Sequence, residues 1–407
     1  MKPRLLVITT TYPRSTEDVG PDFVWQLCNR LASAFRVIVV TPHHPGISKI
    51  ARIGKTIVVR TPYAPERWER LGYSNGLSDQ LHGNRLLWLL VPMLLLRMIF
   101  TTAALLTGAK GVNCIHAHWV IPNLLVGIAA RILARSSTPI ACTAHGADLK
   151  TFGGSWANRL KRWALKRCDK IAAVSKPLAE VASHLAPNRK IQILPMGVDP
   201  GDEPHNAQMR SGLVFVGRLV EKKDPQTAIR ALEKLNHDGS GRRLTVAGDG
   251  PQAAPLNQLI SDLKLSDAVD SRGTVSRTEV TALLQRSMTA IFPFRTARNG
   301  DADGLGLVVL EAIAAGCPLV VSRTPVTLSF LTEGRHALMA NPGDYEGFAA
   351  CVRSIEADWP AALQRVKQAR EEVLPLYSWD RVANEYQRWL LSAISDHRST
   401  LKPASQT

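Results

Sequence analysis

One pattern limits what this chain can fold into, and it runs twice: short unbroken aliphatic segments alternate with stretches long enough for helices. In the first half the segments fall at 5–10, 37–41, 57–61, 112–116, 140–144, 170–174 and 191–194. In the second they fall at 213–216, 244–247, 269–273, 290–293 and 319–322. Residues that are apolar at consecutive rather than alternate positions predict strands covered on both faces, as parallel strands with helical crossovers are. The stretch between the two series, DPGDEPHNAQMRSG (199–212), is polar and contains Pro and Gly, so it reads as a linker. The expected fold class is α/β, with two doubly wound Rossmann-like domains over residues 1–199 and 212–376 and a closing helix over 377–395. A length of 407 residues suits two such cores. Ligands of these sheets bind outside the carboxyl ends of the strands, so the loops that follow the strands are where chemistry is sought.

Charge separates the halves. Residues 1–200 hold 26 basic and 10 acidic side chains, whereas the remainder holds 24 of each, so the whole net charge of +16 belongs to the first half. Such a half faces an anionic membrane, nucleic acid or phosphorylated substrate, or is simply a solubilising surface. The six cysteines stand singly, which excludes a disulfide scaffold or zinc module and fits a reducing cytosol. The apolar run near the N-terminus is too short for a signal peptide. One longer apolar stretch, LLWLLVPMLLLRMIFTTAALL (86–106), has the length of a membrane span. A pass there would separate strands expected in one sheet, which leaves a buried core helix pair or a helix lying in a membrane interface. The stretch NRLKRWALKRCDK (158–170) sets six basic residues around Trp163, as an anionic lipid surface or a solvated helix face would.

Five loops carry candidate chemistry. In DADGLGLVVLEAIAAG (301–316) a helix starts near Gly304–Gly306, and its first amides, around Gly306 and Leu307, can hold a phosphate. Asp303 precedes it and Glu311 lies eight residues on, about 12 Å along the axis if the stretch is helical throughout. That separation suits the two sugars of a nucleotide-diphosphate sugar; an N-cap Asp followed by an ordinary helical Glu is the plainer alternative. The D-A-D spacing also invites a divalent cation, which would compete with the helix terminus for the same phosphates. In FVGRLVEKKD (215–224) a strand ends at Gly217, and Arg218 and Lys223 follow, two cations able to neutralise a departing diphosphate. In the first half HAHWVIPN (116–123) and TAHGADL (143–149) each follow a strand. His145 beside Gly146 can hydrogen-bond a sugar hydroxyl, and His116, His118 and His145 form a zinc alternative without an acidic or Cys partner at ligand spacing. The loop at 11–23 contains Gly20, where backbone can approach a substrate. Serine hydrolase, P-loop and dinucleotide-binding motifs are missing from the sequence.

Taken in order, T-x-H-G-x-D-L (143–149), A-V-S (173–175), P-M-G-V-D (195–199), V-G-R-L-V-E-K-K (216–223), G-D-G-P (248–251) and G-L-V-x-L-E-A-x-A-A-G (306–316) resemble the family-4 retaining glycosyltransferases of the GT-B fold. The resemblance covers nearly the whole chain. It implies two domains facing across a cleft, an acceptor-side N-terminal domain, a nucleotide-sugar-binding C-terminal domain and a last helix that crosses back. By resemblance Arg218 and Lys223 bind the donor diphosphate, and Gly217, Gly306 and Leu307 line its site. Glu311 matches the second Glu of E-x7-E and holds the ribose diol. The first is Asp303, shorter by one methylene, which leaves the sugar open. His145 lies at the donor sugar and backbone around Val275 near the base, while Gly20 and His118 lie on the acceptor side. The family works without a metal.

The resemblance thus implies a hexosyltransferase that moves sugar from a UDP- or GDP-linked donor with retention, the protein supplying position and electrostatics rather than a nucleophile. The basic half and the segment 86–106 suggest a lipid-linked saccharide acceptor in surface polysaccharide or exopolysaccharide synthesis. The expected location is cytoplasmic, peripheral on the inner face of the cytoplasmic membrane. No cofactor, metal or nucleic acid is expected. The alternatives are a nucleotide-sugar 2-epimerase on the same fold and a non-catalytic nucleotide-sugar-binding relative.

Overall fold

A computed structural model describes residues 2–16, 18, 22–72, 85–109, 111–151, 153–201 and 210–401. Gly20 and most of the expected linker lie outside the described residues. The chain divides into two compact units, one made of Met1–Pro195 with Val382–Thr407, the other of Met196–Arg381.

The first unit is built on an eight-stranded sheet: β1 (Arg4–Ile8), β2 (Arg36–Pro42), β3 (Ile50–Ile53), β4 (Thr56–Thr61), β5 (Cys114–His118), β6 (Ile140–Ala144), β7 (Lys170–Ala173) and β8 (Ile191–Ile193). The order is β3-β4-β2-β1-β5-β6-β7-β8, parallel except for β3 against β4. The second unit holds β9 (Leu213–Val216), β10 (Leu244–Ala247), β11 (Val269–Gly273), β12 (Thr289–Phe292), β13 (Leu319–Ser322) and β14 (Leu338–Ala340), in the order β11-β10-β9-β12-β13-β14 and parallel throughout. Every residue of β5, β6, β9, β12 and β13 is buried, as consecutive apolar residues require when helices cover both faces. The edge strand β11 is mostly exposed and pairs Asp270 with Arg272 at 2.6 Å, charges that discourage a further strand from adding there.

Two strands have no counterpart in the expectation: β3, which forms a hairpin with β4 around Gly54, and β14, a three-residue edge. The strand expected at 112–116 runs instead from Cys114 to His118. Asn113 is used before the ladder starts: its side-chain oxygen accepts from the Arg4 amide at 2.7 Å and its own amide donates to the Arg4 carbonyl. The shift puts both His116 and His118 inside the strand. The closing helix spans Trp379–Leu401 and buries Val382, Tyr386, Trp389, Leu390 and Ala393. Within the first unit Tyr386 donates its hydroxyl to the Leu194 carbonyl at 2.9 Å.

The long apolar segment forms the helix Leu90–Thr107 after a short 3-10 turn, and by length and composition Leu86–Thr107 could cross a membrane. Yet β1 pairs with β2, which precedes the segment, and with β5, which follows it, so the chain comes back to the sheet it left. One face of the helix is buried through Leu94, Met98, Thr102, Ala103 and Leu106, against β2, β4 and the helix Leu125–Leu133. The other face leaves Leu89, Met93, Leu96 and Phe100 exposed, Leu89 to 73%. The segment is therefore a core helix on one side and an uncovered apolar face on the other.

In the second unit the loops after β9 and β10 run backbone against backbone. The Gly217 amide donates to Ala247, the Leu219 amide to Asp249 and the Gln252 amide to Leu219, each at 2.9 Å. A Cβ on Gly248 (φ +149°) would stand 1.9 Å from the Gly217 carbonyl oxygen, and one on Gly250 would stand 2.5 Å from that of Leu219. This close approach is why the turn reads G-D-G. Gly248→Ala is expected to cost about 3 kcal/mol through crowding and backbone strain, a fall of roughly 6–12 °C in Tm. Gly239→Ala, at φ +76° but in open space, should cost only about 1 kcal/mol. Calorimetric scans of both variants check this, and equal losses would remove the claim of a tight seam.

Candidate active site

In the second sheet the strand order reverses at β9, with β10 on one side and β12 on the other. The loops after β9 and β12 therefore lie beside each other at the carboxyl ends, where ligands of such sheets bind. After β9 comes Gly217, then Arg218, then one 3-10 turn, Glu221–Lys223. Asp224, in the left-handed region at φ 47°, ends that turn and accepts from the Thr227 hydroxyl at 2.8 Å, which starts the next helix. After β12 the chain continues through Phe294 and a non-helical stretch to Gly306.

Two ion pairs knit these loops together. Lys222 meets Asp301 at 2.8 Å and Lys223 meets Asp303 at 2.5 Å, all four side chains nearly buried. The Lys223 ammonium also lies 4.0 Å from the centre of the Phe294 ring, a cation–π contact. The pattern has a local cause: residues two apart in an extended stretch point to one side, so D-A-D offers both carboxylates to the adjacent lysines. Burial lowers the Lys223 pKa, and the attraction of Asp303 offsets part of that. Burial would raise the Asp303 carboxyl, but the Lys223 and Lys222 charges outweigh it and hold it below the ordinary value. Arg218 adds to the positive field felt by both. Among the described residues no three His, Cys, Asp or Glu side chains come together as metal ligands.

The helix itself begins at Leu307, because Gly306 sits at φ 75° and cannot be part of it. Asp303 is thus outside the helix, turned to Lys223, and the axial spacing of about 12 Å expected for a continuous helix does not describe the pair Asp303 and Glu311. Glu311 is partly exposed on the second turn. The Val309 amide donates to the Gly306 carbonyl at 2.9 Å, and the first two amides, of Leu307 and Val308, precede the first intrahelical bonds and form the anion-attracting end. Val275 is partly exposed in the loop after β11, next to Ser276, whose hydroxyl accepts the Glu279 amide at 3.2 Å and starts the helix Arg277–Arg286.

In the first unit the reversal is at β1, between β2 and β5. His118 ends β5 and His145 follows β6. His118 Nδ1 and His145 Nε2 are 2.9 Å apart with the rings stacked. His116 lies behind His118 and contacts the Thr143 hydroxyl through Nε2 at 2.9 Å. Trp119 and Phe23 pack on His145. Burial lowers the pKa of His116 and His145 to about 3 and that of His118 well below the usual value, so all three are neutral at pH 7. Asp148 ties the loop: its carboxylate accepts the amides of Val120 at 2.7 Å, Gly146 at 2.8 Å and His145 at 3.1 Å.

The structure thus brings Lys223 to Asp303 and His118 to His145, each pair within its own unit. Sequence reasoning weighed Asp301 only as half of a D-A-D cation site and did not single out Lys222, Phe294 or Asp148. The matching K-K and D-A-D doublets were a usable signal for the pairing of Lys222 with Asp301. For Phe294 nothing local distinguishes it from a core residue.

Comparison with known proteins places these geometries in context. The profile described as "Glycosyltransferase Family 4" matches residues 22–202 and that described as "Glycosyl transferases group 1" matches 203–372. The chain is 29% identical over 295 residues to a glycogen synthase of Mycobacterium tuberculosis, covering 69% of each. It is 28% identical over 192 residues to a putative colanic acid biosynthesis glycosyltransferase of Salmonella typhimurium, covering 46% of this chain and 47% of that one. Among solved structures, sucrose-phosphate synthase from Thermosynechococcus elongatus superposes with a TM-score of 0.75 at 18% identity, over 97% of this chain and all of that one.

Asp303→Asn removes the counter-ion and leaves the Lys223 ammonium to an incoming anion. UDP or GDP is expected to bind this variant about tenfold tighter, since a pair at effective dielectric ~20 is worth several kcal/mol. Titration calorimetry at fixed ionic strength measures it, and weaker binding would show that the carboxylate does not compete with the phosphates.

Proposed function

The chain belongs to the family-4 retaining glycosyltransferases, and from that premise we propose that it transfers a hexose from a UDP- or GDP-linked donor to a growing, lipid-linked surface polysaccharide. The observation that carries the donor half is the pairing of Lys223 with Asp303 at the strand-order reversal of the second unit, beside Arg218 and the helix start at Leu307. A diphosphate leaving group builds up negative charge as the sugar–phosphate bond lengthens. Arg218, Lys223 and the first amides of Leu307–Ala314 meet that charge without rearranging. Glu311 accepts hydrogen bonds from the ribose diol, and Val275 contributes backbone near the base. Asp303, displaced from Lys223 by the phosphates, accepts from hydroxyls of the transferred sugar. In the first unit His145, neutral, hydrogen-bonds the donor sugar, and His118 stands behind it. The departing phosphate oxygen takes the acceptor's proton, so the reaction needs no enzymic nucleophile.

The acceptor half rests on the first unit's surface. The exposed face of Leu90–Thr107 and Trp156 and Trp163 on the helix Ser155–Arg167 accompany the chain's whole excess of positive charge. Apolar and indole side chains beside cations suit the headgroup region of an anionic bilayer. That surface supports a lipid-linked acceptor at the inner face of the cytoplasmic membrane, and the similarity to the putative colanic acid biosynthesis glycosyltransferase supports polysaccharide as its glycan.

Two measurements test this reading. Arg218→Ala should lower kcat/KM for sugar transfer about 100-fold or more while Tm moves by no more than about 2 °C, since Arg218 is only partly buried; unchanged transfer would remove the diphosphate role. The protein should sediment with phosphatidylglycerol vesicles, and Leu89→Asp with Phe100→Asp should release it without unfolding. Equal sedimentation with neutral vesicles at high salt would argue against the electrostatic part.

A further inference from the structure

The histidines of the first unit form two hydrogen-bonded arrangements whose proton positions can be worked out. In the first, His116 contacts the Thr143 hydroxyl through Nε2 at 2.9 Å, and its Nδ1 is buried without a partner. With the proton on Nε2, toward the hydroxyl, the orphan at Nδ1 is a lone pair rather than a buried N–H.

The second arrangement follows the same rule. His118 is fully buried; its Nδ1 faces His145 Nε2 at 2.9 Å, and its Nε2 is buried without a hydrogen-bond partner. One proton lies between the two facing nitrogens. If His145 supplied it, His118 would carry its own proton on Nε2, an orphaned buried N–H. If His118 supplies it, the orphan at Nε2 is a lone pair. Buried N–H groups without partners are rarer than unsatisfied acceptors, the same preference that places the His116 proton on Nε2.

We propose that His118 is a positioning residue that donates its Nδ1 proton to His145 Nε2, fixing His145 as the Nδ1–H tautomer so that it presents a hydrogen-bond donor, and no lone pair, to the ligand. The consequence for the chemistry rests on the placement of His145 at the donor sugar: this side chain donates to a substrate oxygen and does not serve as the base for the acceptor hydroxyl. The neutrality of all three rings agrees with this, because a protonated His145 would have no acceptor at Nε2 for the His118 proton. Asp148 contributes by holding the backbone amides of His145 and Gly146, which aims the ring from the other side.

The tautomer is read directly by 15N NMR on protein labelled at histidine, with His145 assigned by its loss in His145→Phe. The expected spectrum at pH 7 has His145 Nδ1 with the shift of a protonated nitrogen and Nε2 with that of a bare one, and the same pattern for His118. A protonated His145 Nε2 overturns the proposal. Two variants separate positioning from packing. In His118→Asn the side-chain amide stands near the place of Nδ1 and keeps a donor, so transfer should stay within about threefold. In His118→Phe the ring volume remains but the donor is lost, so kcat should fall at least tenfold with His145 no longer held in one tautomer. Equal activity of the two folded variants would overturn the role of the hydrogen bond. The spectrum stands apart from the transfer assay: Nδ1–H on His145 in a protein that transfers no sugar would refute the glycosyltransferase reading alone.

Discussion

A strand buried on both faces has no place for a charged side chain until it ends. In both sheets the central strands are closed in this way, and the charged and polar chemistry is pushed into the turns at their carboxyl ends. The strand-order reversals at β1 and β9 then decide which turns become neighbours. Arg218 and Lys223 come to lie beside Asp303 although 80 residues separate the two members of that ion pair. His118 meets His145 because β5 and β6 are paired parallel with His118 opposite Thr143. The sites are consequences of topology before they are consequences of side-chain choice.

Within that frame electrostatics is set by desolvation. Lys223 and Asp303 are both costly to bury alone, and each makes the other tolerable. The pair is suited to exchange: an incoming diphosphate offers the lysine a stronger partner and leaves the aspartate to seek hydroxyl donors. A glutamate at 303, one methylene longer, would place its oxygens elsewhere relative to the lysine. The identity of this residue therefore bears on how tightly the ion pair with Lys223 closes.

Much of this was legible in the sequence, for stated reasons. Strands 140–144, 213–216, 244–247, 269–273 and 319–322 agree residue for residue with β6, β9, β10, β11 and β13; for all but the polar edge strand β11, aliphatic runs bounded by turns carry the signal. The hairpin β3–β4 did not declare itself: Ile50–Ile53 contains Arg52 and is largely exposed, as an edge strand can be. The two-residue shift of β5 came from Asn113, whose side chain bonds to backbone in a way that no pattern of hydrophobicity reveals. The family motifs pointed to Lys223, Asp303 and His145, but not to what each touches. The partner of Lys223 and the stacked His118 ring depend on which loops the fold makes adjacent. Phe294 under the Lys223 ammonium is of the same kind, since an aromatic residue just past a strand end reads as core until its neighbour is known.

The closing helix has a consequence for how the protein is made. The first unit consists of Met1–Pro195 together with the last stretch from Val382, and the 186 residues of Met196–Arg381 are translated between them. At ribosomal speeds of about 5–20 residues per second, that interval lasts roughly 10–40 s. Throughout it Leu194 waits for the Tyr386 hydroxyl, and His116 for the rings of Tyr386 and Trp389. The second unit is contiguous and can condense as it emerges, whereas the first reaches its final packing only afterwards. A nascent chain of this protein therefore holds an unfinished N-terminal sheet, its apolar seat for the last helix open to water or to a chaperone, until synthesis has passed residue 394.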